Sequence, residues 1–158
     1  MNNEVTFLST TNMFIEKEGK VLLMKRSESL ADFPGWYILP GGKQEKSETV
    51  REAAIREVFE ETGIKVKDAN LKIVATHDHE YKNKVYIVNI FVAEDFDGEL
   101  MESKEGTPQW IEIEKAFNSA KLYPDLKRHI KLIQESKTNE VLFTYHRFDE
   151  RLNILESR

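Results

Sequence analysis

Thr49 to Gly63 is the stretch that leaves this chain least freedom. Thr49 is followed three residues later by Glu52, the arrangement in which each side chain satisfies the other's backbone N–H at a helix start. Gly63 offers the left-handed position that ends a helix. A helix is therefore marked at both ends, and whatever precedes and follows it must pack around it.

The flanking segments read differently. Val5 to Ile15 has the Val, Phe, Thr and Ile of a strand, Lys17-Glu18-Gly19 turns the chain, and Val21 to Lys25 returns as a second strand. Ser27 to Gly35 reads as a loop with Pro34-Gly35 as punctuation, and Trp36 to Leu39 as a short strand running into Pro40-Gly41-Gly42. Leu71 to Thr76 and Val85 to Ala93 are predicted strands joined by a polar turn near Lys82-Asn83, and Gln109 to Ile113 is another. Asp125 to Glu135 has helical spacing, with Leu126, Ile130 and Ile133 (or Leu132) on one side. Val141 to Tyr145 reads as a last strand, and the tail from about residue 146 receives no assignment. Strands mixed with two helices predict an α/β domain whose sheet is covered on both faces. At 158 residues, one domain over 1–158 is the expectation.

Composition narrows the chemistry. The chain has no cysteine, which removes disulfides, thiolate metal sites and cysteine nucleophiles. The net charge is −5, and no run of Lys or Arg marks a track for duplex nucleic acid, yet metal ions can bridge an acidic protein to a polyphosphate. Met1-Asn2-Asn3-Glu4 lacks the start of a secretory signal, and the most apolar stretch, Val85 to Ala93, is too short to span a bilayer. The expectation is a cytoplasmic protein acting on a small molecule, with the oligomeric state left open.

Within the predicted helix, Glu57, Glu60 and Glu61 are separated by steps of three and four, so they share one face. Like charges at that spacing oppose helix formation by roughly 0.2–0.5 kcal/mol per pair. The same face carries Ala53, which leaves room beside the carboxylates. Clustered carboxylates with space between them suit hard divalent cations. A solvated acidic face explains the same three residues, and Arg56 could pair with Glu52 and Glu60 at four-residue spacing.

The wider pattern separates these readings. Residues 42 to 64 match G-x5-E-x7-R-E-U-x-E-E-x-G-U at every defined position: Gly42, Glu48, Arg56, Glu57, Val58, Glu60, Glu61, Gly63 and Ile64. The chain thus resembles the Nudix hydrolases, whose box this is, over most of residues 5 to 135. The resemblance implies an α/β/α sandwich with a mixed sheet. It implies that Glu57, Glu60 and Glu61 are magnesium ligands, with manganese as the alternative metal, and that Arg56 orients them. It also implies that Glu48 closes the loop onto the helix and that Gly41 offers a carbonyl near the metal. Gly41 and Gly42 are equally the residues of a tight turn. Glu105, in Lys104-Glu105-Gly106, stands where such enzymes place an additional ligand or the base that activates water; an ordinary surface loop is the other reading. Arg26 resembles the family's phosphate-contacting position, though a lone Arg there could be solvated. The implied reaction is attack of a metal-activated water on phosphorus.

For the substrate, Tyr37-Ile38-Leu39-Pro40-Gly41-Gly42-Lys43 and Leu122-Tyr123-Pro124-Asp125 resemble the MutT-like branch, which hydrolyses oxidised purine nucleoside triphosphates such as 8-oxo-dGTP to the monophosphate and pyrophosphate. Tyr37, Lys43, Tyr123 and Asp125 become pocket candidates, with Tyr123 stacking on the base and Asp125 bonding its edge. Core packing for Tyr123 and a helix cap for Asp125 are the competing assignments. Tyr81 sits where dinucleoside-polyphosphate hydrolases carry a Tyr, which keeps a dinucleoside polyphosphate or another nucleoside-diphosphate-linked substrate as the alternative. The coenzyme A pattern fails at Ala31 and Leu39, and the proline associated with ADP-ribose hydrolases is missing near His79. His77 and His79 share a strand face and read as surface or pocket-lining residues rather than a metal pair. A nucleotide sensor without turnover is disfavoured by the intact box.

Overall fold

The computed structural model describes residues 4–158, so the reading of Met1–Asn3 lies outside the described residues. In chain order the elements are β1 (Thr6–Phe14), β2 (Glu16–Lys17), β3 (Lys20–Arg26), β4 (Tyr37–Ile38), β5 (Gly41–Lys43) and α1 (Val50–Thr62). There follow β6 (Lys65–His79), a single 3-10 turn (Glu80–Lys82), β7 (Lys84–Asp97), β8 (Gly106–Glu112) and α2 (Ile113–Phe117), then α3 (Leu126–Glu135), β9 (Leu142–Phe148) and β10 (Ile154–Ser157).

Six strands make a mixed sheet in the order β10-β9-β6-β7-β1-β5. β1 is parallel to β7 and β6 to β9, while the other neighbours are antiparallel. The second sheet is centred on β3, which pairs antiparallel with β2, β4 and β8. Alternation along the strands divides the interior into two cores. Phe14, Val21, Leu23, Val88 and Ile90 face one, where Leu126, Ile130 and Ile133 of α3 pack. Met13, Ile15, Leu22 and Phe91 face the other, with Ala54 and Val58 of α1. The result is the α/β/α sandwich expected from the sequence, a helix on either side of the sheet.

The helix marked by Thr49 and Gly63 forms with those caps. Thr49 Oγ1 accepts from the Glu52 N–H, and Glu52 Oε2 accepts from the Thr49 N–H at 2.7 Å. Gly63 adopts φ 79° and donates its N–H to Phe59 O. The long strands differ from expectation: β6 and β7 run 15 and 14 residues. Their register shifts between Val66 and Asp68, Asp68 and Ala69, and Leu71 and Ile73. Each irregularity interrupts the period of two, so the polar first half of β6 carries no clean strand pattern. The glycine-rich β5 and the five-residue α2 are also invisible to periodicity. The tail after Phe148 turns back as β10 to widen the sheet. Among the described residues, no helix is long and apolar enough to cross a membrane.

Candidate active site

α1 is aimed by its caps and by its buried Ala53, Ala54 and Val58, so its carboxylates meet the β5 strand. Gly41 and Gly42 are required there by close approach rather than by a turn. A Cβ on Gly41 would stand 1.9 Å from Thr11 O, and one on Gly42 would stand 2.5 Å from the Glu57 carboxyl carbon. The absence of side chains lets β5 lie flat against the carboxylates.

Arg56 organises the group. Its Nε and Nη2 grip Glu48 at 3.0 and 2.7 Å, and Nη1 donates to Glu57 at 2.9 Å and to Glu60 at 3.2 Å. Nη2 also donates to Lys43 O at 3.2 Å. Glu48 accepts the Glu45 N–H at 2.7 Å, which ties the preceding loop to the helix. Hydrogen bonding from Arg56, then from that N–H, brings the Glu48 carboxyl down to about 2. The pairing of Arg56 with Glu52 suggested by four-residue spacing does not form, because Glu52 is committed to the N-cap.

The three helix carboxylates have unequal surroundings. Glu60 remains 56% exposed at the rim. Glu61 is buried, with Gly41 N–H donating to its Oε2 at 2.9 Å. The Gly41 N–H thus binds this carboxylate directly, a contact the sequence did not announce. Burial first, then a hydrogen bond with Glu105 and the charges of Glu105 and Glu57, pushes the Glu61 carboxyl up to about 9. Burial also raises Glu57, opposed by its bond to Arg56. Glu105, on the exposed loop before β8, therefore joins the helix carboxylates in space across 44 residues of sequence. Glu57, Glu60, Glu61 and Glu105 share this corner with one guanidinium, a donor set that a divalent cation would complete.

A cavity of about 300 Å³ opens beside this corner. Gly42, Lys43 and Arg26 line one part, and Tyr123, Asp125 and His77 another. Arg26 also donates Nε to Asp32 O at 2.9 Å. Asp125 occupies the N-cap position of α3 but makes no side-chain cap bond; its carboxylate turns inward. The cap assignment considered from sequence is therefore replaced by a cavity-facing one. Burial works against its ionisation, but the charges of His77, His129 and His146 outweigh it and hold the carboxyl below the usual range. Tyr123, half-buried and packed against the core, lines the same cavity.

Two candidates sit differently from their expected places. Tyr37 packs against the core, its N–H on Lys121 O at 2.9 Å, and does not line the cavity. Tyr81 lies 40% exposed outside it, its ring under the Lys82 ammonium. His77 and His79 are buried cavity-lining residues, not surface ones. Sequence reading missed His129 and His146, and also Phe33 and Tyr86, which line the cavity from the 27–36 loop and β7. For His129 a signal existed: a polar residue on the apolar face of α3, four residues after Asp125.

The NUDIX domain family matches residues 7–135, and the chain belongs to that family. It is 35% identical over 119 residues to an uncharacterized Nudix hydrolase of Bacillus subtilis, YvcI, covering 72% of each chain. It is 35% identical over 111 residues to the oxidized purine nucleoside triphosphate hydrolase of Danio rerio, covering 66% of each. The crystal structure of the mutator MutT protein from Bacillus halodurans matches with a TM-score of 0.82 at 26% identity, over 96% of both chains. Other relatives carry names for ADP-ribose, CTP and diphosphoinositol polyphosphate hydrolysis. The protein is a Nudix hydrolase of the MutT-like branch, a family that generally works with divalent metal ions.

Proposed function

We propose that this hydrolase cleaves a diphosphate bond of a nucleoside triphosphate bearing an oxidised purine, such as 8-oxo-dGTP, releasing the nucleoside monophosphate and pyrophosphate. The observation that carries this reading is the inward-turned Asp125 carboxylate. It is buried in a cavity that runs from the aromatic residues Tyr123 and Phe33 to Gly42 and Lys43, beside the carboxylates. An ionised carboxylate accepts hydrogen bonds and donates none, so it suits a purine edge that presents N–H groups. The base then lies at the aromatic end, with its phosphates toward Lys43, Arg26 and α1.

Glu57, Glu60 and Glu61 are the residues that would hold magnesium, or manganese in its place, and Gly41 sets Glu61 through its N–H. The acids fit such an ion, since Glu61 is buried beside Glu57 and Glu105 with only a backbone N–H opposing its charge. A divalent ion there supplies neutralising charge for the phosphate oxygens and acidifies a water. Arg56 keeps Glu57 and Glu60 in place. Glu105, exposed at the edge of the group, takes the proton of the attacking water as the new P–O bond forms and the bridging P–O bond breaks. Arg26 and Lys43 contact the phosphates. Gly42, Glu48 and Gly63 hold the shape. The strands of the C-terminal tail pair within the same sheet as β6, which supports reading residues 1–158 as one catalytic domain.

The test is a turnover panel of 8-oxo-dGTP, dGTP, diadenosine tetraphosphate, ADP-ribose and coenzyme A with magnesium, resolved by ion-exchange chromatography against an EDTA control. Fastest release of monophosphate from 8-oxo-dGTP is expected. In Asp125→Asn, kcat/KM for that substrate should fall about 10- to 150-fold, the worth of a hydrogen bond to a charged group. Preference for another member of the panel, or an unchanged Asp125→Asn profile, defeats the substrate assignment.

A further inference from the structure

The chain has four histidines, and all of them are buried. Three of them, from β6, α3 and β9, converge on one oxygen of Asp125. Its Oδ2 lies 2.5 Å from His77 Nε2, 3.5 Å from His129 Nδ1 and 4.0 Å from His146 Nε2. One ligand atom from each of His77, Asp125 and His129 falls within 4.8 Å of the other two. His77 Nε2 and Asp125 Oδ2 are both buried and face each other as a close hydrogen-bonded pair, so their shared proton holds the place that a cationic group would take.

The surroundings prepare the rings for that group. His129 Nε2 is 3.0 Å from Thr144 Oγ1, so one ring nitrogen is anchored and Nδ1 is left toward Asp125. His77 is clamped by rings, stacked on Tyr123 at 6.1 Å and meeting Phe148 edge-on at 5.3 Å. His146 is held by Ser157 Oγ at 3.1 Å from Nδ1, with Nε2 3.2 Å from His129 Nε2. Such outer contacts fix imidazole orientation around a metal. All three candidate ligands also line the cavity, which leaves a coordination position open to it.

We propose that His77, Asp125 and His129 form a second divalent-metal site, selective for zinc-like transition ions and separate from the carboxylates of α1. Two imidazole nitrogens and one carboxylate oxygen match the donors of three-ligand zinc sites, whereas magnesium prefers oxygen and water. Ligand atoms around a tetrahedral ion at zinc distances stand about 3.3 Å apart. The 3.5 Å pair already fits, and the 2.5 Å pair opens as the ion enters between its members. An ion there engages Asp125, so it competes with the purine edge; that consequence rests on the substrate reading, while the metal site does not.

The test uses cobalt(II) as a spectroscopic probe of EDTA-stripped full-length protein, in a Glu57→Gln/Glu60→Gln/Glu61→Gln background that removes the three α1 carboxylates proposed to hold magnesium. One equivalent of cobalt should produce the intense visible bands of a low-coordinate ion, displaced by zinc and not by excess magnesium. His77→Phe, which keeps a ring among Tyr123 and Phe148, and His129→Gln should each weaken binding at least tenfold while circular dichroism shows the fold retained. Zinc should independently shift the imidazole NMR signals of His77 and His129, with only four histidines to resolve. Absence of cobalt bands, bands that survive both substitutions, or imidazole signals unmoved by zinc would each overturn the site, whatever the turnover panel shows.

Discussion

Glu61→Gln should make the metal-free protein more stable at neutral pH, although it removes a carboxylate proposed to bind metal. In the folded state the Glu61 carboxyl ionises near 9 instead of 4.5, chiefly because it is buried, and then because of Glu105. The folded protein thus holds this proton more tightly than the unfolded chain. Its contribution is whole below pH 4.5 and is lost as pH rises from 4.5 toward 9. At pH 7, the 2.5 pH units above the unfolded value correspond to a penalty of about 3 kcal/mol, at 1.36 kcal/mol per unit. Glutamine escapes that penalty. Its carbonyl can still accept from Gly41 N–H, and its amide can donate to Glu105. Thermal unfolding in EDTA at pH 5, 7 and 8 should show the variant nearly level with the parent at pH 5. At pH 7 its Tm should be higher by roughly 6–12 °C for a chain of this size. Magnesium should then raise the parent's Tm more than the variant's. A variant equally or less stable at every pH would refute the argument, because it would mean that Glu61 ionises freely in the folded protein.

Arg56→Ala should lower metal-dependent turnover about 10- to 100-fold, the usual effect of losing a contact that orients metal ligands, and Arg56→Lys should not restore it, because one ammonium cannot reproduce the two-pronged grip on Glu48. A steady-state assay under saturating magnesium reads both, and full activity in Arg56→Lys would contradict this role. Gly42→Ala places a methyl group 2.5 Å from the Glu57 carboxyl carbon, so magnesium binding followed by calorimetry should weaken markedly while far-ultraviolet circular dichroism stays native. Unaltered magnesium affinity would show that Glu57 has room to move. Thr49→Ala removes one half of the capping box and should cost about 1 kcal/mol in urea unfolding, with no dependence on metal. A neutral result would mean that α1 is held by its packing alone.

What local sequence decides is clear from α1. Its start, its stop and the spacing of Glu57, Glu60 and Glu61 depend on contacts no more than four residues apart, so the residues state them directly. The same holds for the turn at Glu18-Gly19 and for the apolar face of α3. The first half of β6 was not legible, because its bulges break the alternation and only pairing with β7 makes it a strand. Nor was the inequality of the three glutamates, one exposed and one buried, which arises from where β5 and the loop carrying Glu105 come to rest.

The far end of the cavity belongs wholly to tertiary structure. Asp125 reads as a helix cap, and His77, His129 and His146 are scattered over 70 residues of sequence. They meet because β9 pairs parallel to β6, with His77 opposite His146, while the start of α3 sets Asp125 against His77 and its next turn sets His129 against His146. Parallel pairing over such a separation costs chain entropy that no local preference repays, so no short segment announces it. The carboxylate face is written in one helix; the histidine-lined end exists only once the sheet is assembled.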